Sequence, residues 1–159
     1  MATITSLLLP ATGNSNRGRM PYQVELIIDL TAQAIDCSSA DVVQCITLPA
    51  NTHILHAGVQ VVESATMNTG TNATIILGAA DANEYVTAFD IDGASDLAYA
   101  PSVTPSAEVV LATADTLDLT FAGDGATFSA GSLRVYALLM DVSEQGSTSA
   151  VDVDRDYLA

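Results

Sequence analysis

In the stretch YQVELIIDL the apolar residues fall on every second position. Tyr22, Val24, Leu26, Ile28 and Leu30 share one side, and Gln23, Glu25 and Asp29 share the other. A period of two predicts a strand with one face on a core and one in water, because successive side chains of an extended backbone point opposite ways. The alternation returns in ATIILGA through Ile75 and Leu77, and in EVVLAT through Val109 and Leu111. In TLDLTF it runs through Leu117, Leu119 and Phe121, with Asp118 and Thr120 marking the wet face. In THILHAGVQVVE the predicted core stripe is Leu55, Ala57, Val59 and Val61, in phase with His53. The segment SLRVYALLMDV carries Leu133, Val135, Ala137 and Leu139 on one side and Arg134, Tyr136, Leu138 and Met140 on the other, so both of its faces read as largely covered.

The separators LPANT, NTGTN, AADANE, DIDGASD and AGDGATFSAG are dense in Gly, Asn, Asp and Pro, which take positive φ or bond their own backbone. AGDGA, between Phe121 and Thr127, predicts a hairpin. The longer DGASDLAYAPSVTPS, Asp92 to Ser106, exceeds a hairpin loop and predicts a crossing from one sheet to the other. There is no amphipathic helix of three turns, only room for a small helical turn near Ala32 to Ala40. About eight short strands at this spacing make the fold class all-β, an antiparallel β-sandwich with the jelly roll as one of its forms. Residues 1–21 read as an extended N-terminal arm, residues 22–142 as the sandwich, and residues 143–159 as a polar C-terminal tail.

Composition narrows what such a domain can bind. The chain has 159 residues, enough for one ordinary core, and 49% of them are hydrophobic. Nineteen acidic residues face four basic ones, all Arg, for a net charge of -15. That surface repels nucleic-acid phosphates and anionic membranes, so neither is an expected partner. The carboxylates are scattered, as in a solubilising coat. No apolar run reaches the length of a membrane span, and the opening MATITSLLLPATG lacks a basic leader region, so synthesis in a cytoplasm without a cleaved leader is expected. Cys37 and Cys45 are accordingly expected to be reduced and partly buried.

Candidate chemistry is sparse. His53 and His56 are the two histidines, spaced H-x-x-H. On a regular strand they project from opposite faces about 10 Å apart and cannot chelate one ion. No G-x-S-x-G elbow, P-loop lysine or activated Cys or Ser context appears, so no catalytic residue and no cofactor is expected. Asp81, Glu84, Asp90, Asp92 and Asp96 gather around DIDG, which resembles part of a calcium loop but lacks its ordered D-x-D-x-D-G spacing and distal Glu. Solvated turn carboxylates are the leading reading of this cluster, and a weak calcium site is the competing one. With three Phe, five Tyr and no Trp, aromatic shelves for bases or sugars have little material.

The segment from Ile46 to Val142 has an order of motifs: ITLPANT leading into a strand, then GTNATIILG with its acidic loop, then AGSLRV and an apolar closing strand. This resembles small structural proteins of tailed bacteriophages. The resemblance implies a virion component without catalytic residues, of the kind that serves as a capsid decoration or cement protein. Such a protein sits on the outer surface of the head, commonly as a trimer, and joins capsomers of the major capsid protein. A tail, neck or fibre component is the competing reading within the same class, and a calcium-dependent surface- or carbohydrate-binding module is the competitor outside it. Two contact regions are expected: Arg17 and Arg19 in the arm, facing acidic groups, and the strand face bearing Tyr136, Leu138 and Met140, which a monomer would leave wet.

Overall fold

The computed structural model describes residues 3–4 and 9–10 (backbone only), 20–32, 34–79, 83–101, 109–125 and 127–142. Arg17, Arg19, Asp81 and the tail 143–159 lie outside the described residues. The strands are β1 (Thr3–Ile4), β2 (Leu9–Pro10), β3 (Tyr22–Asp29), β4 (Val42–Leu48), β5 (Thr52–Met67), β6 (Ala73–Gly78), β7 (Val86–Asp90), β8 (Val109–Val110), β9 (Asp115–Gly123) and β10 (Phe128–Asp141). One sheet has the order β1-β4-β9-β6-β7, with β2 also on β4, and the other has the order β3-β10-β5-β8. The eight strands from β3 to β10 form the expected antiparallel sandwich. Two short pieces of the arm add to it, because β1 and β2 pair in parallel with the outer edge of β4.

Inward stripes meet between the sheets. Ile28 of β3, Val59 and Val61 of β5 and Val135 and Leu139 of β10 are fully buried against Ile46, Ile75, Leu117 and Phe121 of the facing sheet. Each such side chain contributes about 1.5–3 kcal/mol of transfer free energy, which makes this interface the main source of stability. Asp118 and Thr120 occupy the outer face of β9 as expected, with Thr116 beside them, but all three are half-buried rather than wet. The Gln44 amide donates to Thr116 (3.2 Å), and the Thr116 hydroxyl donates to Asp118 (2.6 Å). Desolvation raises the Asp118 pKa against the smaller lowering effect of that hydroxyl.

Every consecutive connection from β3 to β10 crosses between sheets except β6–β7. The long connection after β7 crosses as the sequence predicts and lies along β5, with Ala98 and Ala100 bonded to Val61 and Val59. The AGDGA turn departs from the expected hairpin, because β9 and β10 belong to opposite sheets. Its glycines serve close approach. A Cβ on Gly123 would collide with the carbonyl of Asn72, and one on Gly125 with that of Thr69. The Asp124 carboxylate accepts the backbone N–H groups of Thr71 and Asn72, both at 3.0 Å, and the Gly125 carbonyl accepts those of Cys37 and Ser38. Three separate crossings are thus latched together at one end of the sandwich. The helical turn expected near Ala32 to Ala40 is a single 3-10 turn, Cys37–Ser39, capped by the Asp36 carboxylate.

Two outcomes test this latch. Gly125→Ala should destabilise the fold by about 1–3 kcal/mol, the usual range for an overpacked site, as read by denaturant unfolding. The backbone bonds hold the Asp124 carboxyl below its ordinary range. Its stabilisation is therefore present above the unfolded value of about 3.9 and lost as pH falls through the lower folded value. Asp124→Ala should lower the melting temperature at neutral pH, and the difference from the parent should vanish in strong acid.

Candidate functional site

The H-x-x-H segment does not keep the expected alternation. In the pairing of β10 with β5, Leu138 lies opposite His56 and Leu139 opposite Ile54, so Leu55 is an extra residue in a bulge. The bulge inverts the parity. Upstream of it Ile54 faces the core, and downstream Ala57, Val59 and Val61 do, while Leu55 is only half-buried. Two expectations are corrected: Leu55 is not part of the core stripe, and His53 and His56 share the outer face, opposite Met140 and Leu138 respectively. Among the described residues no group of three or more His, Cys, Asp or Glu is arranged to hold a metal ion.

The outer face of this second sheet carries the most distinctive surface of the molecule. Tyr136 lies over Gly58, where a Cβ would stand 2.6 Å from the phenol oxygen, so the absence of a side chain at Gly58 lets the ring lie flat. The phenol oxygen of Tyr136 is 3.5 Å from His56 Nε2, and the two rings are tilted at 46°. Tyr99, brought across by its bridge to Gln60, meets the Tyr136 ring edge-on at 6.2 Å. Arg134 donates to the largely buried Gln60 (3.2 Å), and its Nε stands 3.9 Å from Glu25. These side chains, with Gln23, line a depression of about 220 Å³. Burial, then the neighbouring Tyr99, pushes the Tyr136 phenol up, so it stays neutral and able to donate.

Exposed apolar groups surround the depression: Ile27 (53%), Tyr99 (60%), Val110 (51%) and Leu138 (37%). Tyr136 and Met140 are half-buried, so the closing strand is not covered on both sides as its composition implied. Tyr, Arg and aliphatic anchors inside a polar surround are the composition of protein contact surfaces. The outer face of the first sheet presents threonines and the Gln44–Thr116–Asp118 row instead. The sequence puts Arg134 beside Tyr136 and puts His56 and Gln60 on the non-core face of their strand; the pairing of β10 with β5 brings the two pairs together, and Tyr99 joins them only through the long crossing.

Three carboxylates of the acidic cluster accept backbone N–H groups. Glu84 accepts the N–H of Ala79 (3.1 Å), and Asp90 that of Gly93 (3.0 Å). Asp96 accepts both the N–H and the hydroxyl of Ser64, which together hold its carboxyl below the ordinary range. Asp92 is half-buried in the turn between them. Cys37 and Cys45 are separate, buried thiols. Burial first, then neighbouring carboxylates, pushes Cys37 up to about 11, and burial raises Cys45 further. Neither thiol is activated as a nucleophile. Among the described residues no helix is long and apolar enough to cross a membrane.

No protein-family model matches the chain, and no curated protein matches it. Two solved structures share its fold. A chain of the cyanophage Pam1 capsid asymmetric unit aligns with a TM-score of 0.60 and 22% identity, over 82% of this chain and 91% of that one. A chain of the capsid of Ralstonia phage GP4 aligns with a TM-score of 0.60 and 14% identity, over 84% of this chain and 97% of that one.

The bulge can be checked by truncation. Ile54→Ala should cost about 2–5 kcal/mol, the range for a buried aliphatic side chain, and Leu55→Ala clearly less. A regular strand would reverse that order in chemical denaturation.

Proposed function

We propose that this chain is a structural protein of a phage virion, and specifically a decoration or cement protein on the outer surface of the head. The observation that carries the reading is the fold likeness: the sandwich matches chains of two phage capsids along nearly their whole length. The order of turn and strand motifs from Ile46 to Val142 supports it independently. In this reading the protein binds the major capsid protein and bridges capsomers as a trimer. Its contribution is contact area on a rigid core, and no residue performs a reaction.

The contact residues follow from the surface. The face bearing Tyr136, Leu138 and Met140, next to Tyr99 and Arg134, is the hydrophobic anchor, through which copies meet one another. Arg17 and Arg19 supply cationic groups to an otherwise acidic protein and pair with carboxylates of the major capsid protein.

Electron cryomicroscopy of particles carrying the protein tests the reading. The expected result is density on the outer shell, repeated with the capsomers. Density confined to the tail, neck or fibres would replace the decoration role with one of those. Reversing both arm charges, Arg17→Glu with Arg19→Glu, should weaken retention on capsids and flatten its salt dependence, measured by co-sedimentation. Undiminished, equally salt-sensitive retention would remove the arm from the contact.

A further inference from the structure

A sandwich has sheet edges, and an unprotected edge is a template for another strand. In this protein most of the edges are blunted. The outer edge of β4 is taken by β1 and β2. β7 is five residues long, shifts register against β6, and has Ala88 in the left-handed region at φ 42. β8 is two residues long. β3 differs on each count. It runs for eight residues in unbroken register with β10, without a bulge, an internal proline or a positive φ. Among the described residues nothing pairs with its other side. Its inward stripe is also incompletely covered. Tyr22, Val24 and Leu26 pack against the core yet remain half-exposed, and Ile27 on the outer face is 53% exposed.

We propose that the free edge of β3 pairs antiparallel with β3 of a second copy of this chain, about a twofold axis through Leu26, so that one sheet runs continuously across two sandwiches. The register follows from side-chain chemistry. Residues directly opposite each other share a face, so only a twofold centred on a residue keeps both cores on the same side. Centred on Leu26, Tyr22 faces Leu30, Val24 faces Ile28 and Leu26 faces its own equivalent, which joins the two inward stripes. On the outer face Gln23 faces Asp29, and Glu25 faces Ile27. Centring on Glu25 would set that carboxylate against itself, and centring on Ile27 would set Glu25 against Asp29, each a like-charge pair across strands. Glu25 is moreover the carboxylate beside Arg134, so the charge nearest the joint is already countered within each copy. The pairing is a property of the isolated protein and does not depend on a role in the virion. In a capsid-bound trimer the same edge would link one trimer to the next.

The test uses the full chain in solution. Directly opposite residues lie within disulfide reach, whereas residues several positions out of register do not. Leu26→Cys should therefore give a cross-linked dimer under mild oxidation, and Gln23→Cys, although more exposed, should not. The parent, with its two buried thiols, is the control. A second pair of variants separates this register from general stickiness. Ile27→Glu places like charges opposite each other twice and should weaken association roughly tenfold or more, whereas Ile27→Lys places an opposite charge against Glu25 and should preserve or strengthen it. Sedimentation reads the association, and melting curves establish that both variants fold. Absence of the Leu26→Cys dimer at high protein concentration, equal cross-linking of Gln23→Cys, or equal weakening by Glu and Lys at position 27 would each overturn the proposal. Cross-linking that appears only after capsid protein is added would overturn it as well, because the edge would then be reserved for a heterologous strand.

Discussion

The pairing of β10 with β5 is the constraint on which the rest of the molecule hangs. These are the two longest strands, and their joint register sets which side chains of the second sheet enter the core and which form its outer face. Because the side-chain period is two, one extra residue in either strand exchanges the faces. Of the four register shifts between these strands, the bulge at Leu55 is the one that turns His53 and His56 to the same side as Leu138 and Met140. The core is continuous across the bulge only because the sequence changes parity there, from Ile54 to Ala57, Val59 and Val61.

Polar groups in the loops complete what the strands begin. Asp36, Asp96 and Asp124 each accept two backbone N–H groups or an N–H with a hydroxyl, at a turn that would otherwise leave donors unmet. Much of the acidity therefore has a local structural use, and Glu84, Asp90 and Asp96 of the acidic cluster share in it. The Asp124 latch is the most consequential, because it ties the turn after β9 to the turn before β6 where the chain passes between sheets.

The two outer faces then acquire different characters. The first sheet covers itself with threonines and a hydrogen-bonded row through Gln44, Thr116 and Asp118. The second exposes Ile27, Tyr99, Val110 and Leu138 around a depression whose polar groups are held by Gln60, Arg134 and Glu25. One outer face is thus apolar around a depression, and among the described residues the edge of β3 is unpaired. The fold that carries these faces is shared with chains of two phage capsids.

By itself the sequence determined the fold class, most of the strands and the absence of a recognisable catalytic motif, because period-two patterning and turn residues act locally and are visible in a single chain. β3, β6 and β9 stand where their alternation places them. Only the tertiary structure decided what depends on partners far along the chain. The register shift inside β4 at Cys45 and the left-handed Ala88 of β7 blur the alternation of those strands, so neither declared itself. Glycines at positions 123 and 125 read as a hairpin because a positive φ and a close backbone approach demand the same residue. Tyr99 meets Tyr136, and the two histidines share a face, through a crossing and a bulge whose geometry is set by the neighbouring strand. That dependence on long-range pairing is why a surface of single residues, each unremarkable in order, becomes a site only when the two sheets close.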